Sequence, residues 1–208
     1  MLWILLLAAY LIGSVPTALV VGKLAFNIDI RDHGSHNPGA TNTLRVLGKK
    51  AAIVVLIVDV GKGILASSLP IITGYDIEPL YLGLVAIVGH CFPIFADFRG
   101  GKAIATTAGV LIFVNFWMSL FVFTSFFLVI FLTKYVFLGS ISVGLALICY
   151  SLFITGDSHG MLFLLFSLFL IFLHRSNIRN FILQVEPKIN DKNLKNDRIP
   201  PKGNTIGR

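Results

Sequence analysis

The feature that most constrains the fold is a run of 31 residues, 103–133, that contains no charged side chain. The rest of the chain is similarly apolar: 56% of its residues are hydrophobic and 13% are charged. In an average soluble domain, about a quarter of the residues are charged. Because a helix of about 20 apolar residues crosses a hydrocarbon core of about 30 Å, the sequence predicts an all-α polytopic bundle of transmembrane helices.

Seven apolar segments are candidate spans. They cover residues 1–25, 51–73, 79–96, 103–116, 118–133, 137–155 and 159–174. The charge-free run is either one long tilted helix or two short helices that turn near Asn115–Trp117. The first segment lacks a basic start and a small-residue cleavage site, so we expect it to remain as a span.

The placement of Lys and Arg predicts the orientation of these spans. Basic residues concentrate in three segments, 31–50, 99–102 and 175–208, which the positive-inside rule assigns to the cytoplasm. The segments 74–78 and 156–158 hold Asp76, Glu78 and Asp157 but no basic residue, and are assigned to the outside. We therefore predict an external N-terminus, seven spans and a cytoplasmic C-terminus. Merging 103–133 and 137–174 into single spans gives a five-span alternative.

The polar end of the chain separates from its apolar part. Residues 1–185 are predicted to form the transmembrane domain, and residues 186–208 a polar, basic, cytoplasmic tail that is a mobile extension. The formal net charge of +7 is explained by orientation and by contact with anionic membrane lipid. Nothing in the pattern supports nucleic acid as a partner.

The first basic segment contains RDHGSHNPGATNTLR at 31–45, which suits binding of an anion such as phosphate. Arg31 and Arg45 are candidates for a bidentate phosphate clamp. The alternative is a turn whose Asn and Ser side chains cap a helix starting near Thr41. The candidate binding residues of this segment offer backbone N–H groups, hydroxyls or amides to the anion. They are Gly34, Ser35, Asn37, Gly39, Thr41 and Asn42.

The second basic segment contains GHCFPIFADFRGGKA at 89–103. Gly100 and Gly101 are predicted to expose N–H groups to an anion, and Lys102 to supply a positive charge, although the full Walker A spacing is absent. Positive-inside topology alone also accounts for Lys102. His90 is equally a candidate binding residue and a packed core residue.

The third basic segment begins with HRSNIR at 174–179. His174 and Asn177 are three residues apart and are predicted to share one face of a helix. Arg175 and Arg179 are better explained as lipid contacts.

Two charged residues interrupt the second apolar segment. Asp59 and Lys62 share a helix face, and because charge inside a bilayer is costly we expect them to pair or to face a cavity. A purely structural role remains open. Cys91 and Cys149 lie in apolar stretches without metal-ligand spacing and are interpreted as packing residues. No metal site and no cofactor are predicted.

Taken together, these motifs resemble those of the bacterial acyl-phosphate:glycerol-3-phosphate acyltransferase family. The resemblance covers GSVPTALVVGK at 13–23, IRDHGSHNPGATN at 30–42, DVGKG at 59–63, GHCFPIFADFRGGKAIAT at 89–106 and HRSNIR at 174–179. It implies functional roles for Ser35, Arg45, His90, Gly100, Gly101, Lys102, His174 and Asn177. The chain departs from the family pattern where glycine is usual, at Ala103 and Gln184, and where arginine is usual, at Asn180.

The resemblance implies that an acyl chain passes from acyl phosphate to the sn-1 hydroxyl of glycerol 3-phosphate in the cell membrane, as an early step of phospholipid synthesis. The upstream enzyme that forms acyl phosphate is then a candidate partner. Ser35, Arg45, His174 and Asn177 are expected to act on the reacting groups, and the remaining candidates to bind substrate. The HxxxxD motif of acyl-CoA-dependent enzymes is absent. A transporter of an organic phosphate is the alternative, although we detect no internal repeat.

Overall fold

The structure of the protein is a computed structural model that describes residues 1–156 and 159–202. Within these residues every regular element is helical, which confirms the predicted all-α class. The α-helices are α1 (Leu2–Gly13), α2 (Thr17–Val21), α3 (Ala40–Val46), α4 (Lys49–Thr73), α5 (Pro79–Cys91), α6 (Ile104–Val114), α7 (Phe116–Thr133), α8 (Val136–Tyr150), α9 (Gly160–Leu173) and α10 (Arg175–Ile182). Two compact units are present: Met1–Val114 with Asn193–Arg208, and Asn115–Lys192.

The first unit is built around α4, which packs against α1, α5 and α6. An added Cβ at Gly63 in α4 or at Gly109 in α6 would collide with the backbone of the facing helix. Small residues let helices in a bilayer approach this closely, and van der Waals packing then holds them together. Large apolar side chains of α4, such as Ile53 and Ile57, remain exposed and suit contact with lipid.

The first apolar segment is bent. Helix α1 ends before Pro16, and α2 continues into a π-helical turn, Gly22–Phe26, so that the two parts are inclined by 41°. Proline lacks an N–H group and its ring obstructs a continuous helix. The Val15 carbonyl instead accepts hydrogen bonds from the Thr17 N–H and from Lys62 Nζ. The break therefore brings a backbone acceptor to a charged side chain.

In the second unit, α8 packs against α7 and α9, and α9 contacts α10. Its first helix begins at a side-chain cap, since Asn115 Oδ1 accepts a hydrogen bond of 3.0 Å from the Met118 N–H. This cap lies in the part of the charge-free run where the sequence allowed two short helices in place of one. Helices α9 and α10 are inclined by 56°, and His174 is the residue between them.

Helix length decides how many spans the fold supports. Four described helices are long and apolar enough to cross a membrane, and up to six spans result if each bent pair is one span. The predicted span at 103–116 corresponds to α6 and would be the seventh. The 11 residues of α6 extend for only about 17 Å. That is shorter than a hydrocarbon core of about 30 Å. The count from helix length is therefore four to six, and Asp157 of the predicted outer segment 156–158 lies outside the described residues.

The tail contacts the helices. The Ile199 N–H donates to the Val46 carbonyl at 2.8 Å, and the Lys202 N–H donates to the Ala25 carbonyl at 2.9 Å. The Ile199 side chain packs against an apolar cluster that includes Val46. These residues of the predicted mobile extension therefore contact the helices, and the Ile199 side chain lies against an apolar surface.

Candidate active site

The first polar loop is organised around Asn42. Its side chain is buried, donates to the Ile30 and His33 carbonyls at 3.3 and 3.0 Å, and accepts from the Ser35 N–H at 2.9 Å. Both amide N–H donors are used within the protein. In this structure the Asn42 side chain, which the sequence predicts to bind phosphate, holds the loop closed.

Other parts of the loop stay at the surface. Ser35 and Thr41 are exposed, whereas Asn37 is partly buried. The Gly39 N–H donates to the Asn37 carbonyl at 2.9 Å, so this predicted anion donor is engaged inside the loop. Gly34 has a φ of +62°, a left-handed conformation that suits glycine.

The predicted helix after this loop is present as α3, which begins at Ala40 after Gly39. The residue at the cap position is thus a glycine, which has no side chain to accept a hydrogen bond from the first turn. The capping alternative from the sequence therefore does not describe this helix start. The polar side chains of the loop have to be explained by contacts within the loop or by a ligand.

Arg31 is an internal anchor. Its Nε and Nη2 atoms donate to the Asp29 carboxylate, at 2.7 Å for the shortest bond, and Nη1 donates to the Ala96 carbonyl at 2.9 Å. The hydrogen bond from Arg31 lowers the pKa of the Asp29 carboxyl below its usual value. The pair is thus lost only on acidification below the ordinary aspartate range. The predicted phosphate clamp is wrong for Arg31, which instead ties the first loop to the second.

Arg45 lies in the last turn of α3 and forms an ion pair with Asp197 of the tail. Both side chains are partly exposed. The Arg45 guanidinium, which the sequence predicts to bind phosphate, is thus paired with a carboxylate. The sequence contains no local signal for this pair, because 152 residues separate its members.

Gly100 and Gly101 hold the second loop against the end of α5. Their N–H groups donate to the Cys91 and His90 carbonyls, each at 3.1 Å. A Cβ at Gly101 would collide with the His90 ring, and one at Gly100 with backbone carbonyls. Both N–H groups that the sequence predicts to face an anion are thus bonded to carbonyls of α5 in this structure. A helix leaves its last carbonyls unsatisfied, and these glycines approach closely enough to bind them.

A buried polar centre lies between α2, α4 and α5. Asp59 Oδ1 accepts from the Thr17 hydroxyl and from Lys62 Nζ, each at 2.9 Å. His90 Nδ1 lies 3.8 Å from the same oxygen. All four residues are buried. The expected pairing of Asp59 with Lys62 is confirmed.

A small pocket adjoins this centre. Its free volume is about 10 Å³, room for about one water molecule. It is lined by residues from the first loop, the second loop and the buried centre, among them Pro38, Gly100, Gly101, His90, Lys62 and Thr17. Lys102, next to Gly101, is partly buried. The fold thus brings the first two predicted motifs to one place within the first unit.

The third motif belongs to the second unit. His174 is buried, and its Nδ1 atom lies 2.9 Å from the Leu170 carbonyl. Asn177 in α10 donates to Glu186 at 2.6 Å. Among the described residues, no group of three or more His, Cys, Asp or Glu side chains could hold a metal ion.

The chain matches a family of membrane-bound transferases, and the match spans nearly all of its helical part. Residues 3–184 fit the glycerol-3-phosphate acyltransferase family, and the chain belongs to that family. It is 47% identical over 186 residues to glycerol-3-phosphate acyltransferase of Bacillus subtilis (strain 168), covering 89% of this chain and 96% of the relative. It is 48% identical over 189 residues to glycerol-3-phosphate acyltransferase 3 of Bacillus anthracis, with coverages of 90% and 95%.

Two solved structures share the fold. The crystal structure of PlsY, an integral membrane glycerol 3-phosphate acyltransferase, in its glycerol 3-phosphate form aligns with a TM-score of 0.81 at 30% identity, covering 89% of this chain and 94% of that one. The lysophosphatidic acid form aligns with a TM-score of 0.78 at 31% identity, with the same coverages. The chain is accordingly a multi-pass membrane protein and a glycerol-3-phosphate acyltransferase, and its place in phospholipid biosynthesis follows from the family.

Sequence reasoning found the motifs but missed several contacts that shape the site. The partners of Arg31, Arg45 and Asn177, namely Asp29, Asp197 and Glu186, were not anticipated. One signal was available for the first of these pairs, since Asp29 precedes Arg31 by two residues. The other two partners lie beyond the range of a local pattern.

Proposed function

We propose that the protein transfers a fatty acyl group from acyl phosphate to the sn-1 hydroxyl of glycerol 3-phosphate, which gives 1-acylglycerol 3-phosphate and phosphate. The observation that carries this proposal is the shared pocket, where the loop around Pro38 meets His90 and the Gly100–Gly101 pair. The printed names of the relatives and of the PlsY structures support glycerol 3-phosphate as the acceptor. The absence of HxxxxD at all five histidines supports a donor other than acyl-CoA.

In the proposed reaction, the glycerol hydroxyl oxygen attacks the acyl carbon, and the bond from that carbon to the phosphate oxygen breaks. The hydroxyl proton passes to His174, to His90 or to a substrate phosphate. Phosphate is a good leaving group, so positioning of the two substrates suffices and no acyl-enzyme on Ser35 is required. Arg45 and Lys102 neutralise phosphate charge. The resemblance to the family supplies the proposed roles of His174 and Asn177, which orient the attacking hydroxyl.

The remaining residues have more limited roles in this proposal. Ser35 and Thr41 offer exposed hydroxyls to substrate, and Asn37, Gly34 and Gly39 shape the first loop. Asn42 and the Gly100–Gly101 pair act indirectly, because their hydrogen-bonding groups hold the loops. These are positioning residues and do not contact phosphate through the groups that the sequence suggested.

We also propose that the site faces the cytoplasm. The basic segments 31–50, 99–102 and 175–208 support this side through the positive-inside rule. An external N-terminus, seven spans and a cytoplasmic C-terminus are the topology consistent with all three segments, with α6 as a short seventh crossing. The acyl donor would then come from a cytoplasmic enzyme that forms acyl phosphate.

The donor is tested with purified protein in detergent, supplied with labelled glycerol 3-phosphate and either palmitoyl phosphate or palmitoyl-CoA. We expect labelled lysophosphatidic acid from palmitoyl phosphate alone. Product from palmitoyl-CoA at a comparable rate would contradict the proposed donor. Absence of product with both donors, from protein that is folded, would contradict the proposed activity.

A further inference from the structure

Lys62 lines the pocket and has no role in the function derived above. Its side chain is 5% exposed, and it is the only lysine or arginine among the described residues that line the pocket. The family resemblance and the three cytoplasmic motifs assign it no part in the reaction. A buried lysine beside a pocket therefore needs an explanation of its own.

The ammonium of Lys62 has one donor left over. A lysine side chain has three N–H groups. One faces Asp59 Oδ1 at 2.9 Å and another donates to the Val15 carbonyl at 3.1 Å. Within the described residues, no acceptor takes the third. Two acceptors fix the position of the ammonium, and the pocket lies next to it.

The two glycines that line the same pocket do not offer an anion the free N–H groups that the sequence predicts. The Gly100 and Gly101 N–H groups are already bonded to carbonyls of α5. The Thr17 hydroxyl donates to Asp59. An anion entering this pocket therefore meets the Lys62 ammonium as its charged donor.

We propose that Lys62 binds one phosphate oxygen of glycerol 3-phosphate through its third N–H, with Asp59 and the Val15 carbonyl holding the ammonium in place. The pocket has room for about one oxygen-sized group, which fits a single phosphate oxygen. This inference rests on the proposed acceptor, glycerol 3-phosphate, and is independent of the acyl donor. Charge-assisted hydrogen bonds of this kind correspond to roughly 10- to 100-fold in affinity.

The test separates binding from neutralisation of Asp59. Lys62→Met alone leaves a buried unpaired carboxylate, so the informative variants remove both charges: Asp59→Asn/Lys62→Met and Asp59→Asn/Lys62→Gln. The second retains a neutral pair able to hydrogen-bond, in case the first fails to fold. Asp59→Asn alone keeps the ammonium. Lys50→Met, on the exposed start of the same helix, is the matched control.

Two readouts are measured on the full-length protein in detergent: the KM for glycerol 3-phosphate and the rise in melting temperature that glycerol 3-phosphate produces. We expect folded double variants with KM raised about 10- to 100-fold and a smaller ligand-induced rise in melting temperature. Asp59→Asn should change KM much less, because the Val15 carbonyl and the amide oxygen that replaces the carboxylate still accept hydrogen bonds from the ammonium. Lys50→Met should match the wild type.

Three results would contradict the proposal, and each leads to a different conclusion. A wild-type KM in a folded double variant reduces Lys62 to a partner of Asp59. A KM in Asp59→Asn as high as in the double variants assigns the effect to Asp59. No stabilisation of the wild type by glycerol 3-phosphate contradicts the proposed function itself, which the other two results leave intact.

Discussion

At the scale of single residues, the departures from the family pattern fall on unusual backbone. Ala103 and Gln184 stand where the resemblance leads one to expect glycine, and their φ angles are +58° and +59°. A side chain in this left-handed region costs about 1–2 kcal/mol because Cβ approaches the following carbonyl. At both residues the backbone therefore has a shape suited to glycine, although each carries a side chain.

We expect Ala103→Gly to stabilise the protein. Removing the Cβ relieves the left-handed strain, while the greater freedom of glycine in the unfolded chain offsets part of the gain. The net effect should be about 0.5–1 kcal/mol, which corresponds to a melting temperature higher by about 1–4 °C. Thermal unfolding in detergent measures it.

The matched control is Ala108→Gly, which places glycine inside α6. There it should lower stability by about 1 kcal/mol, because glycine is a poor helix former. A lower melting temperature for Ala103→Gly would contradict the assignment of strain to that residue.

At the scale of elements, the tail joins α3 through the ion pair of Asp197 with Arg45. The family match ends at residue 184, so Asp197 lies outside the matched region, whereas Arg45 lies inside it. The Asp197 carboxylate and a substrate phosphate are both anions that a guanidinium binds. The tail and the substrate should therefore compete for Arg45.

We expect Asp197→Asn to lower the KM for glycerol 3-phosphate. The pair is partly exposed, and such pairs contribute about 0.2–1 kcal/mol, so the expected decrease is about 1.5- to 5-fold. Steady-state kinetics with saturating acyl donor measure it. The control is Asp76→Asn, which removes an exposed carboxylate that is distant in sequence from Asp197. It should leave KM unchanged. A raised KM in Asp197→Asn would show that the tail positions Arg45 for binding and does not oppose it.

At the scale of the whole molecule, orientation is open to direct chemical measurement. In a background with Cys91→Ser and Cys149→Ser, single cysteines replace Asp76, His36 or Asn190. An impermeant thiol reagent added to intact cells should label position 76, because the acidic segment is predicted to lie outside. Positions 36 and 190 should react only after the membrane is opened. Labelling of position 190 in intact cells would contradict the seven-span topology.

The sequence by itself determined the class and the location of the motifs. Apolar runs of helical length predict an all-α membrane protein, and Asn115 interrupts the charge-free run where the turn was expected. These features depend on local composition and on backbone hydrogen bonds between neighbours in the chain. The sequence predicts seven spans, whereas the lengths of the described helices support four to six.

Tertiary structure decided which polar groups remain available to a ligand. Asn42, Gly100 and Arg31 look like phosphate donors in the sequence, but folding brings carbonyls and a carboxylate to them first. Lys62 looks like a structural charge, but folding places it beside the pocket. The physical reason is that a donor satisfied by a partner distant in sequence is indistinguishable, in one dimension, from a donor left free.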